Sequence, residues 1–406
     1  MEGSVPELRT DIDLIPSVHQ GERVLLVKDS LGLIREPILL HGEALVFLTL
    51  IDGKRNIRDI QLEFIRIKSG VFIESEVIEK FISELDSFFL LNSEHFHRAK
   101  EKLISEFSIS KVRKAYLSGR SYPEAPNELR AYLDTVLDQE GDPNPALKGR
   151  EIRVLVAPHI DLEIGKKVYA SAYSSLRHSK PERIILMGTG HSVQSSFFSL
   201  TEKDFETPLG LVKTDKKCVK KLKEACRDTV APFDFAHSSE HSLEFQLIFL
   251  QHLFGSEFSL VPFLCGSFHQ VLKQFSRPSE NPEIKDFLEV MSRYLEEFSS
   301  NVLVVAGVDF SHIGPKFGHQ QPASHLINEA KEHDRILIDA LCRGDVEDLW
   351  EAVKRVDNKY NVCGFSTLTC LQELFQGSKA FILGYDFWEE EATQSAVSFA
   401  AVAYSD

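Results

Sequence analysis

No stretch of this sequence reaches the roughly 18 uninterrupted apolar residues that a membrane-spanning helix needs, so none reads as a span. Its six cysteines (Cys218, Cys226, Cys265, Cys342, Cys363 and Cys370) include no CxxC pair and are too sparse for a disulfide scaffold. Basic residues are in deficit, 46 Lys and Arg against 61 Asp and Glu, a net charge of −15. Affinity for a phosphate backbone comes from neutralising it with Lys and Arg, so nucleic acid is excluded as a main partner, and an anionic membrane surface with it. There is no GxSxG elbow for a serine hydrolase, no GxGxxG or GK[ST] for a nucleotide, no glycosidase-like carboxylate pair, and no repeat or low-complexity tract. The opening MEGSVPELRTDIDL lacks a basic region followed by an apolar one. A cytoplasmic location is the expectation.

What is there is ordinary globular text, 43% apolar and 26% charged. At 406 residues it is long enough for two domains. Residues 1–95 read as a small α+β unit: strand-like RVLLVKD, a turn at SLG, IREPILLHG, and the helices EALVFLTLI, IRDIQLEFIRIK and ESEVIEKFISELDSFFLL, a winged-helix-like order. DNA binding fails on charge, 10 basic residues against 17 acidic ones. The pattern resembles PqqD-type modules, which implies peptide capture, with RVLLVKD as an edge for strand addition. Residues 96–149 turn polar and read as a helical linker, with ELRAYLDTVLDQ as its helix and QEGDPNPALKG as a boundary. From 150 to 406, strand-like segments (IRVLVAP, RIILMG, FSLVPFLCG, NVLVVAGV, AFILGYD, SAVSFAAVAYS) alternate with helical ones, which predicts an α/β sandwich with a mainly parallel central sheet.

In such sheets ligands bind beyond the carboxyl ends of the strands. Several apolar segments here run straight into metal-ligating or titratable side chains: VLVAPHID into His159 and Asp161, RIILMGTGHS into His191, VLVVAGVDFSHIG into Asp309 and His312. YNVCGFST carries Cys363 ahead of a helix start that would favour its thiolate, and HSSEHSLEF carries His237, His241 and Glu244. His, Asp and Cys in this arrangement suit a metal or acid–base chemistry. Plainer readings stand beside each: His159 as a loop cap, Asp161 as a turn carboxylate rather than a partner of the imidazole, and the His241 segment as an exposed helix start capped by Ser238 or Ser239. Asp309 and His312 are the most specific, because a carboxylate directly after so apolar a strand is otherwise costly. His319, His325 and His333 read as surface residues.

The ordered set APH159, GTGH191, TPLG followed by KTD, EHSLEFQL, VPFLCG, VDFSHIG, NVCG and AVSFAAVAY resembles the Memo family, whose microbial members are called AmmeMemoRadiSam system protein B. The resemblance covers residues 150–406. It implies a fold like that of class III extradiol dioxygenases and a non-haem metal site, iron(II) first with copper or zinc as alternatives. It further implies His159, His191 and Cys363 as ligands, and His312, oriented by Asp309, moving protons, while His241 lines the pocket. The family pattern GPSHH puts its second histidine on the metal, where this chain has Ser192. Either His191 supplies the ligand or the triad is incomplete. A radical SAM protein and an AMMECR-type protein are the partners implied. The leading expectation is redox or dioxygenase-type chemistry on an unknown substrate; the alternative is a non-catalytic scaffold that holds a peptide or partner in the same cleft.

Overall fold

The computed structural model describes residues 3–29, 31–34, 38–139, 147, 150–193, 196–227, 229–298 and 301–405. Most of the boundary expected at QEGDPNPALKG, with Ser30 of SLG and residues 35–37 of IREPILLHG, falls outside them. Two compact units form: residues 1–109 with 390–394, and residues 110–389 with 395–406. Among the described residues no helix is long and apolar enough to cross a membrane.

The first unit has an antiparallel sheet of β1 (Ile12–His19), β2 (Glu22–Asp29) and β3 (Ile38–His41), followed by α1 (Ala44–Leu50), α2 (Ile57–Ile67), α3 (Ser75–Ser87) and α4 (Glu94–Ile109). Asn56 and Asp59 close a capping box at the start of α2. Phe47, Ile60, Phe64, Ile78 and Leu85 fill the core, Phe47 stacked on Phe64 at 4.6 Å. The segment RVLLVKD is not an edge: β2 is central, paired with β1 on one side and β3 on the other. IDLIPSVH was overlooked as a strand because Pro16 interrupts its alternation. Proline is tolerated on an edge strand, and that is where β1 lies.

The larger unit is built on an 11-stranded sheet. Its elements in chain order are β4 (Val112–Arg113), α5 (Pro126–Leu137), β5 (Ile152–Ala157), α6 (Leu162–Ser174), β6 (Arg183–Thr189), β7 (Phe198–Leu200), β8 (Asp204–Thr207), β9 (Gly210–Thr214), α7 (Lys216–Ala225), α8 (His241–Phe254) and β10 (Ser259–Cys265). There follow α9 (His269–Leu272), α10 (Pro282–Glu297), β11 (Val302–Gly307), β12 (His312–Ile313), α11 (Ile327–Arg343), α12 (Val346–Arg355), α13 (Phe365–Leu374), β13 (Ala380–Glu390) and β14 (Ser395–Ser405). The centre, β5-β11-β6-β10, is parallel, and β14 joins β5 antiparallel.

Successive residues of these strands face opposite sides, as the pleat requires. Val154, Ile185, Phe263 and Val304 meet the helices α7, α10, α12 and α13 on one face. Leu155, Leu186, Leu264 and Val305 meet α5, α6 and α8 on the other. Residues 242–251 of α8 are buried all round, the sign of a helix inside a core rather than on a surface.

The stretch read as a linker is divided between the two units. Phe96 of α4 is buried against Arg9, and Lys100 pairs with Asp11 at 3.0 Å, which ties α4 to the first unit. Residues 110–137 belong to the second: β4 runs parallel to β8, and Leu129, Leu133 and Val136 of α5 lie in its core.

Candidate metal centre

Three adjacent parallel strands, β5, β11 and β6, end at the same edge of the sheet, and each delivers a side chain there. His159 lies two residues past β5, Asp309 two past β11, and His191 two past β6. Cys363 comes from the turn before α13 and His241 opens α8. That turn is held by residue types that tolerate a left-handed backbone: Asp357, Asn358 and Asn361 have φ of 53°, 49° and 47°. Asn361 Nδ2 donates to the carbonyls of His312 (3.2 Å) and Phe317 (3.1 Å), joining the Cys363 turn to the His312 loop.

Donor atoms of His159, His191 and Cys363 lie within 4.8 Å of one another. His159 is buried, its Nδ1–H donates to the Gly307 carbonyl (3.0 Å), and its backbone N–H donates to Asp309 Oδ1 (2.9 Å). A carbonyl can only accept, so the lone pair is on Nε2, which faces Cys363 Sγ at 3.4 Å and Asp309 Oδ2 at 3.6 Å. Burial pulls the imidazole's pKa down against the opposing pull of Asp309. His159 is therefore neutral, as a ligand must be.

Glu240, which the sequence reading overlooked, holds the other side of the site. It is buried, caps α8 through the Ser242 N–H (3.0 Å), and faces His191 Nδ1 at 3.0 Å and His241 Nδ1 at 3.3 Å. Burial raises its pKa, but His191, His241 and the Ser242 N–H outweigh that and hold the carboxyl well below the usual range. A carboxylate on Nδ1 fixes the tautomer and leaves the lone pair on Nε2, the arrangement that orients metal-bound histidines. The rings of His159, His191 and His241 form a triangle with centroids 5.1, 5.0 and 4.7 Å apart, His191 stacked on His241. The residue before the first helical one is the cap position, and Glu240 occupies it in place of Ser238 or Ser239.

Other expectations shift. His312 is not held by Asp309: its Nδ1–H donates to the Phe310 carbonyl (3.0 Å), and burial, against Asp309, brings its pKa down to about 4. Ser311, between them, pins the loop by donating to buried Asp334 (2.6 Å). Asp161 caps α6 through the Glu163 N–H rather than touching an imidazole. The helix start does not favour a Cys363 thiolate, since burial and then Asp309 push the thiol well above its usual pKa; only a bound cation would reverse that. Glu244 points away from the site, to Arg113 and Tyr122. His333, expected at the surface, is buried.

Close packing places α8. A methyl group on Gly307, the last residue of β11, would collide with the Ser242 carbonyl oxygen, and one on Gly188 of β6 would lie 2.5 Å from Ser242 Oγ. Only glycine lets the start of α8 approach these strand ends.

A family profile described as Memo-like protein matches residues 113–403. A MEMO1 family protein of Aquifex aeolicus is 29% identical, with 93% of this chain and 95% of that one aligned. One from Thermus thermophilus is 29% identical over 84% and 97%, and one from Methanopyrus kandleri 30% identical over 61% and 81%. The solved structure of an uncharacterized protein from Escherichia coli K12 aligns at a TM-score of 0.38 and 12% identity, over 62% of this chain and 99% of that one, a likeness too slight to build on. The extent of the profile match, set beside relatives aligned over nearly their whole lengths, makes this chain a member of the Memo family.

Proposed function

We propose that His159, His191 and Cys363 hold a divalent metal ion, iron(II) first with copper or zinc as alternatives, and that the protein carries out redox chemistry of the dioxygenase type. The observation that supports this most is convergence: donor atoms from positions 159, 191 and 363 lie within 4.8 Å of one another. Two neutral imidazoles and one thiolate fit such an ion and leave coordination positions open. When bound, the ion would supply Lewis acidity and, as iron or copper, one-electron chemistry; zinc would supply Lewis acidity alone.

The chain's own residues would do the rest. Gly307 and Asp309 fix His159, and Glu240 fixes His191 and lies 3.3 Å from His241 Nδ1. His312, neutral and with its lone pair on Nε2, can accept a proton. His191 is exposed, so the site opens to solvent on that side, where His241 lines the approach. Radical SAM and AMMECR-type partners, and a peptide at the N-terminal unit, belong to the same proposal and rest on resemblance alone.

Elemental analysis after anaerobic purification is the test. Stoichiometric metal is expected in the unmodified protein, and next to none in His159→Ala and Cys363→Ala. Full occupancy in both variants overturns the assignment.

A further inference from the structure

Arg113 lies in text that reads as a polar linker, yet it is among the largest fully buried side chains. Its Nε donates to the carbonyl of His237 (3.0 Å), its Nη2 to the carbonyl of Glu240 (3.0 Å), and its Nη1 pairs with the Glu244 carboxylate. That carboxylate also accepts from the backbone N–H groups of Tyr116 (2.9 Å) and Leu117 (2.8 Å) and from the Tyr122 hydroxyl (2.5 Å). One guanidinium thus spans residues 237 to 244, the turn into α8 and its first turn. Glu240 sits in the middle of that span. Arg113 holds its main chain while its side chain faces His191 and His241.

We propose that Arg113 is a positioning residue of the metal centre: it sets the place of Glu240, and through Glu240 the tautomer of His191. The proposal rests on the metal-centre reading above for its functional meaning, but the geometry it asserts is present without metal. The plainer account is that Arg113 only neutralises buried Glu244, an arrangement that often adds little to stability. The two accounts differ over the carbonyl contacts. A planar fork of five N–H donors can serve two carbonyls and a carboxylate at once, whereas a lysine ammonium keeps the charge at a single nitrogen and cannot span all three.

Arg113→Lys and Glu244→Gln in the full chain separate them. The first keeps the charge and gives up the fork; the second removes the ion pair and leaves both carbonyl contacts available. In the metal-free protein, at a pH high enough to leave the rings neutral, imidazole nitrogen NMR should show His191 as the single Nδ1–H tautomer. That pattern is expected to persist in Glu244→Gln and to give way to mixed tautomers in Arg113→Lys. Cobalt(II) affinity, read from its visible absorption, should fall by about 10–100-fold in Arg113→Lys, the usual range for residues that orient metal ligands, and stay near the unmodified value in Glu244→Gln. Unmodified tautomers and cobalt affinity in a folded Arg113→Lys overturn the proposal. So does loss of the tautomer pattern and of cobalt affinity in a folded Glu244→Gln, a result that decides the question alone if Arg113→Lys does not fold. If the unmodified protein takes up no cobalt while its tautomers still follow Arg113, the metal-centre reading fails and the positioning role stands.

Discussion

Glu240→Gln is the sharpest perturbation of this site, because it changes one atom of a buried group that no other residue can replace. Glu240 Oε1 faces His191 Nδ1 at 3.0 Å, the Ser242 N–H at 3.0 Å and His241 Nδ1 at 3.3 Å; Oε2 faces His191 Nδ1 at 3.1 Å and the His191 backbone N–H at 3.2 Å. An amide can keep the Oε1 set, but its NH₂ then points at two His191 groups that are themselves donors. The loss of a charge-assisted hydrogen bond and the new opposition of donors cost about 2 kcal/mol. His191 is no longer bound to carry its lone pair on Nε2, so metal affinity should fall by about 10–100-fold, while Ser242 keeps its cap and α8 its place. Titration with cobalt(II) measures the affinity, and urea denaturation of the metal-free protein measures the stability. Unchanged cobalt affinity, with His159→Ala abolishing binding, would show that Glu240 does not orient the ligand, and the argument for His191 would fall with it.

His312→Gln should keep its metal and lose whatever turnover the protein has, because glutamine preserves size and hydrogen bonding but does not titrate; metal loss as deep as in His159→Ala would make His312 a ligand instead. Gly307→Ala should cost about 1–3 kcal/mol by overpacking and lower metal content, since the added methyl meets the Ser242 carbonyl and pushes α8 back; unaltered stability and metal would refute that packing argument. His333→Leu tests pH dependence. Burial brings the His333 pKa down to about 4, and its Nε2 has no hydrogen-bond partner among the described residues. The folded state disfavours the charged ring, so this contribution is fully present above pH 6.5 and is lost as pH falls toward 4, by about 3 kcal/mol. Urea midpoints of His333→Leu should therefore decline less between pH 7 and 4.5 than those of the unmodified protein, though His237 and His312, shifted the same way, keep some slope. Parallel curves would contradict it.

The central strands were legible because they are apolar on both faces and close on turn residues, and the histidine ligand candidates were legible because each follows such a strand. His159 and His191 could be picked out that way, whereas Cys363 follows no strand and stood out by its place ahead of a helix start. What could not be read is which side chain holds which. Asp309 reads as the partner of His312 at a spacing of three, but that ring's Nδ1–H donates to the Phe310 carbonyl at 3.0 Å. Glu240 hides as one acid in an acidic chain, since only the fold shows that it caps α8 beneath two imidazoles. Arg113 hides for the opposite reason: KVRKAYLSGR is as polar as a linker, and its burial depends on Glu244, 131 residues away. Short strands such as β7, β8 and β12 carry too few residues to show a period, and β1 is broken by its proline.

The distance along the chain between His159 and Cys363, 204 residues, is also an interval of time. At roughly 5–20 residues per second, a ribosome that has just added His159 needs about 10–40 s more to reach Cys363. During that interval β5, β6 and β11 can pair, yet no centre with all three donors can exist. On the proposed reading, metal capture is then a late event in the life of each molecule, open only to chains whose synthesis has passed the turn before α13. A chain cut short between His191 and that turn carries both histidines but not the Cys363 thiol, and on the proposed reading cannot compete for the ion on equal terms with the finished protein.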